Sequence, residues 1–124
     1  MPGSRTEKVA AALRDELAAL IAQRVKDPRV HAAGLLTVTH VRLSDDLRLA
    51  TVLVSFVGAG EDAVVGALAG LRRAAGFLRG EAARRLSLRR APELRFVHDQ
   101  SAEAAARIDA LVRGDGGEGG PGSA

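Results

Sequence analysis

The stretch from Glu61 to Arg90 most restricts what this chain can become. Val64, Val65, Leu68, Leu71 and Ala75 recur at helical spacing, and a second apolar stripe runs through Phe77, Leu78, Ala82 and Leu86. One straight helix over the whole stretch would be roughly 45 Å long at about 1.5 Å per residue. A domain of this size has a radius of gyration of about 13 Å, so an unbroken rod would project well beyond its own core. Ala74-Ala75-Gly76 lies between the stripes and Gly80 follows one turn later. Glycine lets the backbone leave the helical basin at little cost. The pattern predicts helix, a break at Ala74–Gly76, then helix again.

Arginine is concentrated on both sides of that break. Arg72, Arg73, Arg79, Arg84, Arg85, Arg89, Arg90 and Arg95 stand against only Glu81 and Glu93. Eight cations less two anions make this window +6 in a chain whose total is +3, so the remainder sums to −3. A bent, arginine-rich helical element is suited to a polyanion, and RNA is the one favoured here. The competing reading is a solvated helix face whose arginine content reflects the composition bias of the chain. Only Phe56, Phe77 and Phe96 are aromatic and there is no Tyr or Trp. Modules that lay bases on aromatic side chains, such as RRM and OB folds, are therefore disfavoured. Recognition of shape and backbone is expected instead.

With 124 residues there is room for one domain and one modest core. The absence of cysteine excludes disulfides and thiolate metal sites. No apolar run is long enough to span a membrane, and Met1 to Ser4 do not open a signal peptide, so a cytoplasmic location is expected.

In chain order, Ser4-Arg5-Thr6-Glu7 fits a capping box. Val9, Leu13, Leu17, Leu20, Ile21 and Val25 then describe a first helix, which Asp27-Pro28 ends. Leu35–Leu43 and Leu47–Val57 read as strands joined by the turn Ser44-Asp45-Asp46. In the second strand Ala50, Val52, Val54 and Phe56 share one face and Leu49, Thr51, Leu53 and Ser55 the other, so neither face is fully wet. The bent helical pair follows, and Ala91-Pro92 closes it. Leu94–His98 form a third strand. Ser101 caps a short last helix with a weak apolar face of Ala105, Ile108, Leu111 and Val112. Residues 4–113 make the folded domain, and the Gly-rich segment 114–124 reads as a disordered tail.

The fold class is α+β, with helices on one face of a three-stranded sheet. The order α-β-β-α-(kink)-α-β is similar to that of a type II KH domain. Several phrases narrow the likeness. They are Val25-Lys26-Asp27-Pro28-Arg29-Val30, Leu36-Thr37-Val38-Thr39-His40-Val41 and Leu43-Ser44-Asp45-Asp46-Leu47-Arg48-Leu49-Ala50, with Leu71 to Arg79 and Pro92 to Ser101 after them. Together they resemble the ribosome-binding factor A family over roughly residues 4–113. That resemblance implies a cytoplasmic, monomeric, non-enzymatic factor that binds the immature free small (30S) ribosomal subunit and contacts 16S rRNA. It also implies a part in late maturation and rRNA 5′-end processing, with a link to growth in the cold. The family replaces the KH Gly-x-x-Gly loop by an Ala-x-Gly kink, and Ala74-Ala75-Gly76 occupies that place. Family members often carry a basic C-terminal extension; here Asp115 and Glu118 follow Arg113, with no Lys or Arg beyond it.

The expected RNA-binding residues are Arg72, Arg73, Ala74, Ala75, Gly76, Arg79, Arg84, Arg85, Arg89 and Arg90. Gly76 has two readings. It either packs where helix meets sheet, or lets amides at the start of the following helix approach a phosphate. His31, His40 and His98 are not at metal-ligand spacing, and neither a metal nor a cofactor is expected. Asp45 and Asp46 suit a hairpin tip better than acid–base chemistry. The alternative function is a protein-interaction module that recruits an assembly partner.

Overall fold

The computed structural model describes residues 2–113; the segment read above as a tail lies outside the described residues. The element order expected from the sequence is present, with one addition. Helix α1 spans Pro2–Arg24, a four-residue helix α2 spans Pro28–His31, and strands β1 (Leu35–Leu43) and β2 (Leu49–Val57) follow. Helices α3 (Glu61–Arg73) and α4 (Ala75–Arg85) lead to β3 (Glu93–His98) and then α5 (Ser101–Arg113).

Strand β2 is central. It pairs antiparallel with β1 and parallel with β3. A parallel neighbour needs a crossover, and α3 with α4 supplies it. Ala50, Val52, Val54 and Phe56 are buried on one face of β2, while Leu49, Thr51 and Leu53 opposite are half-buried, as the alternation indicates. In β1 the apolar parity changes, because Val38 faces the core and so do Val41 and Leu43. A bulge at Thr39 reconciles them: Val38 pairs with Val54, but His40 pairs with Leu53 and Val41 with Val52. One extra residue flips every later side chain to the other face.

Leu13, Leu17, Leu20 and Ile21 of α1 join Leu68 and Leu71 of α3, Leu78 of α4 and the inner sheet face in one core. Helix α1 begins at Pro2, upstream of Ser4, so Ser4 does not mark its start. Proline is pre-organised for the first turn.

Helix α2 was not expected. Asp27 caps it, accepting the Arg29 amide at 3.0 Å, and Pro28 takes the first helical position. The Asp-Pro pair that ends α1 is thus also the start signal of a new turn. It buries Val30 against α3.

The last helix also differs in detail. Asp99, not Ser101, supplies the cap, accepting the Ser101 amide at 3.0 Å. The expected apolar face lies in the open, with Ile108, Leu111 and Val112 60–79% exposed. What holds α5 is Glu103. Strand β3 stops at His98, leaving the Phe56 amide of β2 without a strand partner. The Glu103 carboxylate accepts that amide at 2.8 Å and meets His98 Nε2 at 2.8 Å. Burial disfavours its charge, but hydrogen bonds from Phe56, His98 and Ser55 outweigh this and hold its carboxyl below the usual value.

Candidate nucleic-acid interface

Helices α3 and α4 meet at Ala74, so the stretch is broken where the apolar stripes change, as the pattern predicts. The cause is not glycine. Ala74 makes the bend with φ −84° and ψ −2°, a conformation open to any residue. Gly76 is already inside α4, and a Cβ added there would meet nothing within 4 Å; the same holds at Gly80. This removes the packing explanation for Gly76. Gly76 and Gly80, one turn apart, leave a strip of the α4 backbone uncovered. Ala74 and Ala75 pack against the core and seal the inner side of the bend.

Around this strip the expected arginines divide by what they hold. Arg72 Nη2 donates to the Phe96 carbonyl of β3 at 3.1 Å. Arg79 donates to the Ala91 carbonyl through Nε at 3.1 Å and Nη2 at 3.0 Å. Both latch α3 and α4 to the segment carrying β3. Arg85 Nη1 reaches Glu16 of α1 at 2.9 Å, and Arg84 pairs with Glu81. Arg73 is exposed and adds to the field that keeps Asp27 ionised. Arg89 and Arg90, beyond the end of α4, line a groove with Arg5 of α1. All seven expected arginines are exposed, but they do not form one cluster.

Two further residues belong to this surface. Phe77, part of the second apolar stripe, is 44% exposed. Arg24, from the end of α1, places its guanidinium 5.2 Å from the Phe77 ring centre and 3.5 Å from Glu81. The plane is held between ring and carboxylate, a geometry guanidinium favours. Phe77 could have been found: counting from Arg73 by four, three and four reaches Phe77, Gly80 and Arg84, a face apart from Leu71 and Leu78. Arg24 and Arg5 carry no such local signal.

Other polar candidates have structural partners. Asp46 accepts from Ser44 Oγ at 2.7 Å and from the Arg48 amide at 3.1 Å, which lowers its pKa and shapes the hairpin tip. His31 Nε2 meets the Val25 carbonyl, and His98 lies between Glu103 and the Phe56 ring. Among the described residues no group of three His, Cys, Asp or Glu is placed to hold a metal ion, and no helix is long and apolar enough to cross a membrane.

A family model described as ribosome-binding factor A matches residues 5–112. A protein of that name from Geobacter sulfurreducens is 43% identical over 110 residues, covering 89% of this chain and 90% of its own length. One from Anaeromyxobacter dehalogenans is 46% identical over 110 residues, covering 89% and 78%. Among solved structures, the crystal structure of ribosome-binding factor A from Thermus thermophilus superposes with a TM-score of 0.63 at 39% identity, over 74% of this chain and 93% of that one. A homology model of the Thermus thermophilus factor, fitted into a cryo-EM map of its complex with 30S, gives 0.60 at 39% identity over 74% and 92%.

Proposed function

The chain belongs to the ribosome-binding factor A family, and from that premise we propose that it associates with the immature free small (30S) ribosomal subunit and contacts 16S rRNA. It assists late maturation, including 5′-end processing, without catalysing a reaction, and it matters most for growth in the cold. It acts in the cytoplasm as a monomer, and residues 4–113 form its RNA-binding domain.

The observation that carries this reading is the bare strip of α4 at Gly76 and Gly80, bordered by exposed arginines. With no side chain in the way, a sugar–phosphate backbone can approach the start of α4, where the helix dipole favours an anion. Arg73, Arg84 and the Arg24–Phe77 pair flank that approach. Such contacts position RNA more than they read its sequence. The 30S complex of the Thermus thermophilus relative supports the small subunit as the partner. Binding one conformation of the immature subunit more tightly than another is sufficient to shift its population toward that conformation.

Sedimentation of the full chain with small subunits through a sucrose gradient tests the proposal. Co-migration with free small subunits that disappears at high salt is expected, with crosslinks to 16S rRNA from the α3–α4 region. The exposed apolar stripe of α5 favours, as a second reading, a protein-interaction module. Migration with a protein partner only, without crosslinks to rRNA, would establish that reading instead.

A further inference from the structure

We propose that the groove between the start of α1, the tip of the β1–β2 hairpin and the α4–β3 link holds one unstacked nucleotide of single-stranded RNA. The base lies on the apolar floor and the flanking phosphates meet Arg5, Arg89 and Arg90. This deepens the RNA-binding reading above and rests on it.

The groove encloses about 540 Å³, inside the range of roughly 300–1,000 Å³ usual for small-ligand sites. Its floor is aliphatic: Val9, Leu43, Leu47, Leu88 and Pro92. Three arginines stand at its rim, all exposed. Among the described residues none of the three guanidinium groups holds a hydrogen bond or an ion pair, unlike those of Arg72, Arg79, Arg84 and Arg85. These three cations outnumber the one carboxylate that lines the groove, Asp46, so net positive charge faces its mouth, and guanidinium pairs well with phosphate. The ligand on this charge pattern is a polyanion with an apolar face.

Backbone conformation singles out the same place. Leu47 at φ 61° and Ser87 at φ 54° are the non-glycine residues with positive φ among those described, and both line this groove. Leu47 closes the hairpin turn and Ser87 ends α4, the Leu88 amide donating to the Ala83 carbonyl at 2.8 Å, so two left-handed turns shape the groove wall.

Asp46 decides between RNA and an acidic protein segment. It lies in the groove wall, and the Ser44 hydroxyl and Arg48 amide hold it ionised. A carboxylate there can accept from the exocyclic amino group of a base, whereas the carboxylates of an acidic peptide bring only acceptors. Arg89 and Arg90 also belong to the arginine-rich stretch already assigned to RNA. Adenine brings the exocyclic amino group and the larger apolar face for the floor, whereas uracil offers the carboxylate only its N3–H, so adenine is preferred.

The test is titration of the ¹⁵N-labelled full chain with the single-stranded hexanucleotides (A)6 and (U)6. With (A)6, amide shifts at Leu47, Ser87, Leu88, Arg89 and Arg90 are expected, and (U)6 should bind more weakly. Leu88→Gln removes apolar floor without altering charge and should weaken (A)6 by about tenfold, the low end for a changed contact in an apolar pocket. Asp46→Asn should narrow the preference for (A)6. Shifts confined to Ala74–Gly80, with Leu88→Gln binding like the parent, would overturn the groove and leave the RNA-binding reading standing. Groove shifts with an Asp/Leu-rich peptide but not with (A)6 would assign it to a protein partner. Neither hexanucleotide shifting any amide, together with no co-migration with small subunits, would remove the broader reading as well.

Discussion

Gly70 of α3 sits so close to Val30 of α2 that a Cβ at residue 70 would lie 2.8 Å from Val30 Cγ2 and 2.9 Å from Asp27 Oδ2. Val30 is fully buried and Asp27 is fixed by its cap, so neither can give way cheaply. Helix α2 docks on α3 because residue 70 has no side chain.

Gly70→Ala should therefore destabilise the fold by about 1–3 kcal/mol, the usual result of overpacking. Gly76→Ala should do the opposite. Its Cβ meets open space, so the better helix former should add about 0.5–1 kcal/mol. RNA affinity should nonetheless fall, since the added methyl stands on the bare strip. Thermal melts and RNA titrations of both variants check this. A Gly76→Ala protein that melts lower and binds RNA like the parent would contradict the assignment.

The arginines should separate into two classes. Arg79→Ala frees the Ala91 carbonyl and Arg72→Ala frees that of Phe96, so each should lower stability by about 1 kcal/mol. Arg73→Ala, Arg89→Ala and Arg90→Ala should stay within about 0.5 kcal/mol of the parent while weakening RNA binding. Urea midpoints measured beside RNA affinities would expose the opposite ordering if it exists.

Salt should act through the second class. If about four phosphates are neutralised, log affinity against log salt should have a slope near −3, at roughly −0.7 per phosphate of single-stranded RNA. The Arg89→Ala/Arg90→Ala double variant should reduce that slope by about 1.4. A slope near zero for the parent would show that the guanidinium groups do not meet phosphate.

Acid should loosen the α2 corner. The Arg29 side-chain hydrogen bond, then the Arg29 amide, hold the Asp27 carboxyl at about 2, down from 3.8. Below pH 3.8 the folded form thus binds fewer protons than the unfolded form. The stabilisation is complete above that pH and disappears as pH falls toward about 2. Asp27→Asn keeps a capping acceptor but cannot titrate. Its urea midpoint should fall less than the parent's between about pH 5 and pH 2.5.

Much of this architecture could be read from short-range pattern. The alternation along β2 is local, since side chains of a strand take opposite faces in turn. The helical stripes of α1 and α3 are local too, although Val65, counted in the stripe, is 63% exposed. The bulge at Thr39 was legible in principle, because the apolar residues of β1 change parity across it. So was α2, because Asp-Pro is a helix start as well as a helix stop. Neither stands out, because a single strand or a single boundary already accounts for the same letters.

By itself the sequence determined which residues must be hidden, that the stretch from Glu61 to Arg90 could not stay one rod, and that positive charge would gather beside the break. The family likeness was equally present in it. Only the tertiary structure decided what each arginine does, and the physical reason is distance along the chain. Periodicity assigns a side chain to a face of its own element. It does not say that Glu16 will meet Arg85, 69 residues away, that Arg24 will cover Phe77, or that Arg5 will face Arg89 and Arg90 across a groove. Those meetings follow from how α1 packs against α4 and the hairpin tip, and packing of that kind is settled only when the whole core closes.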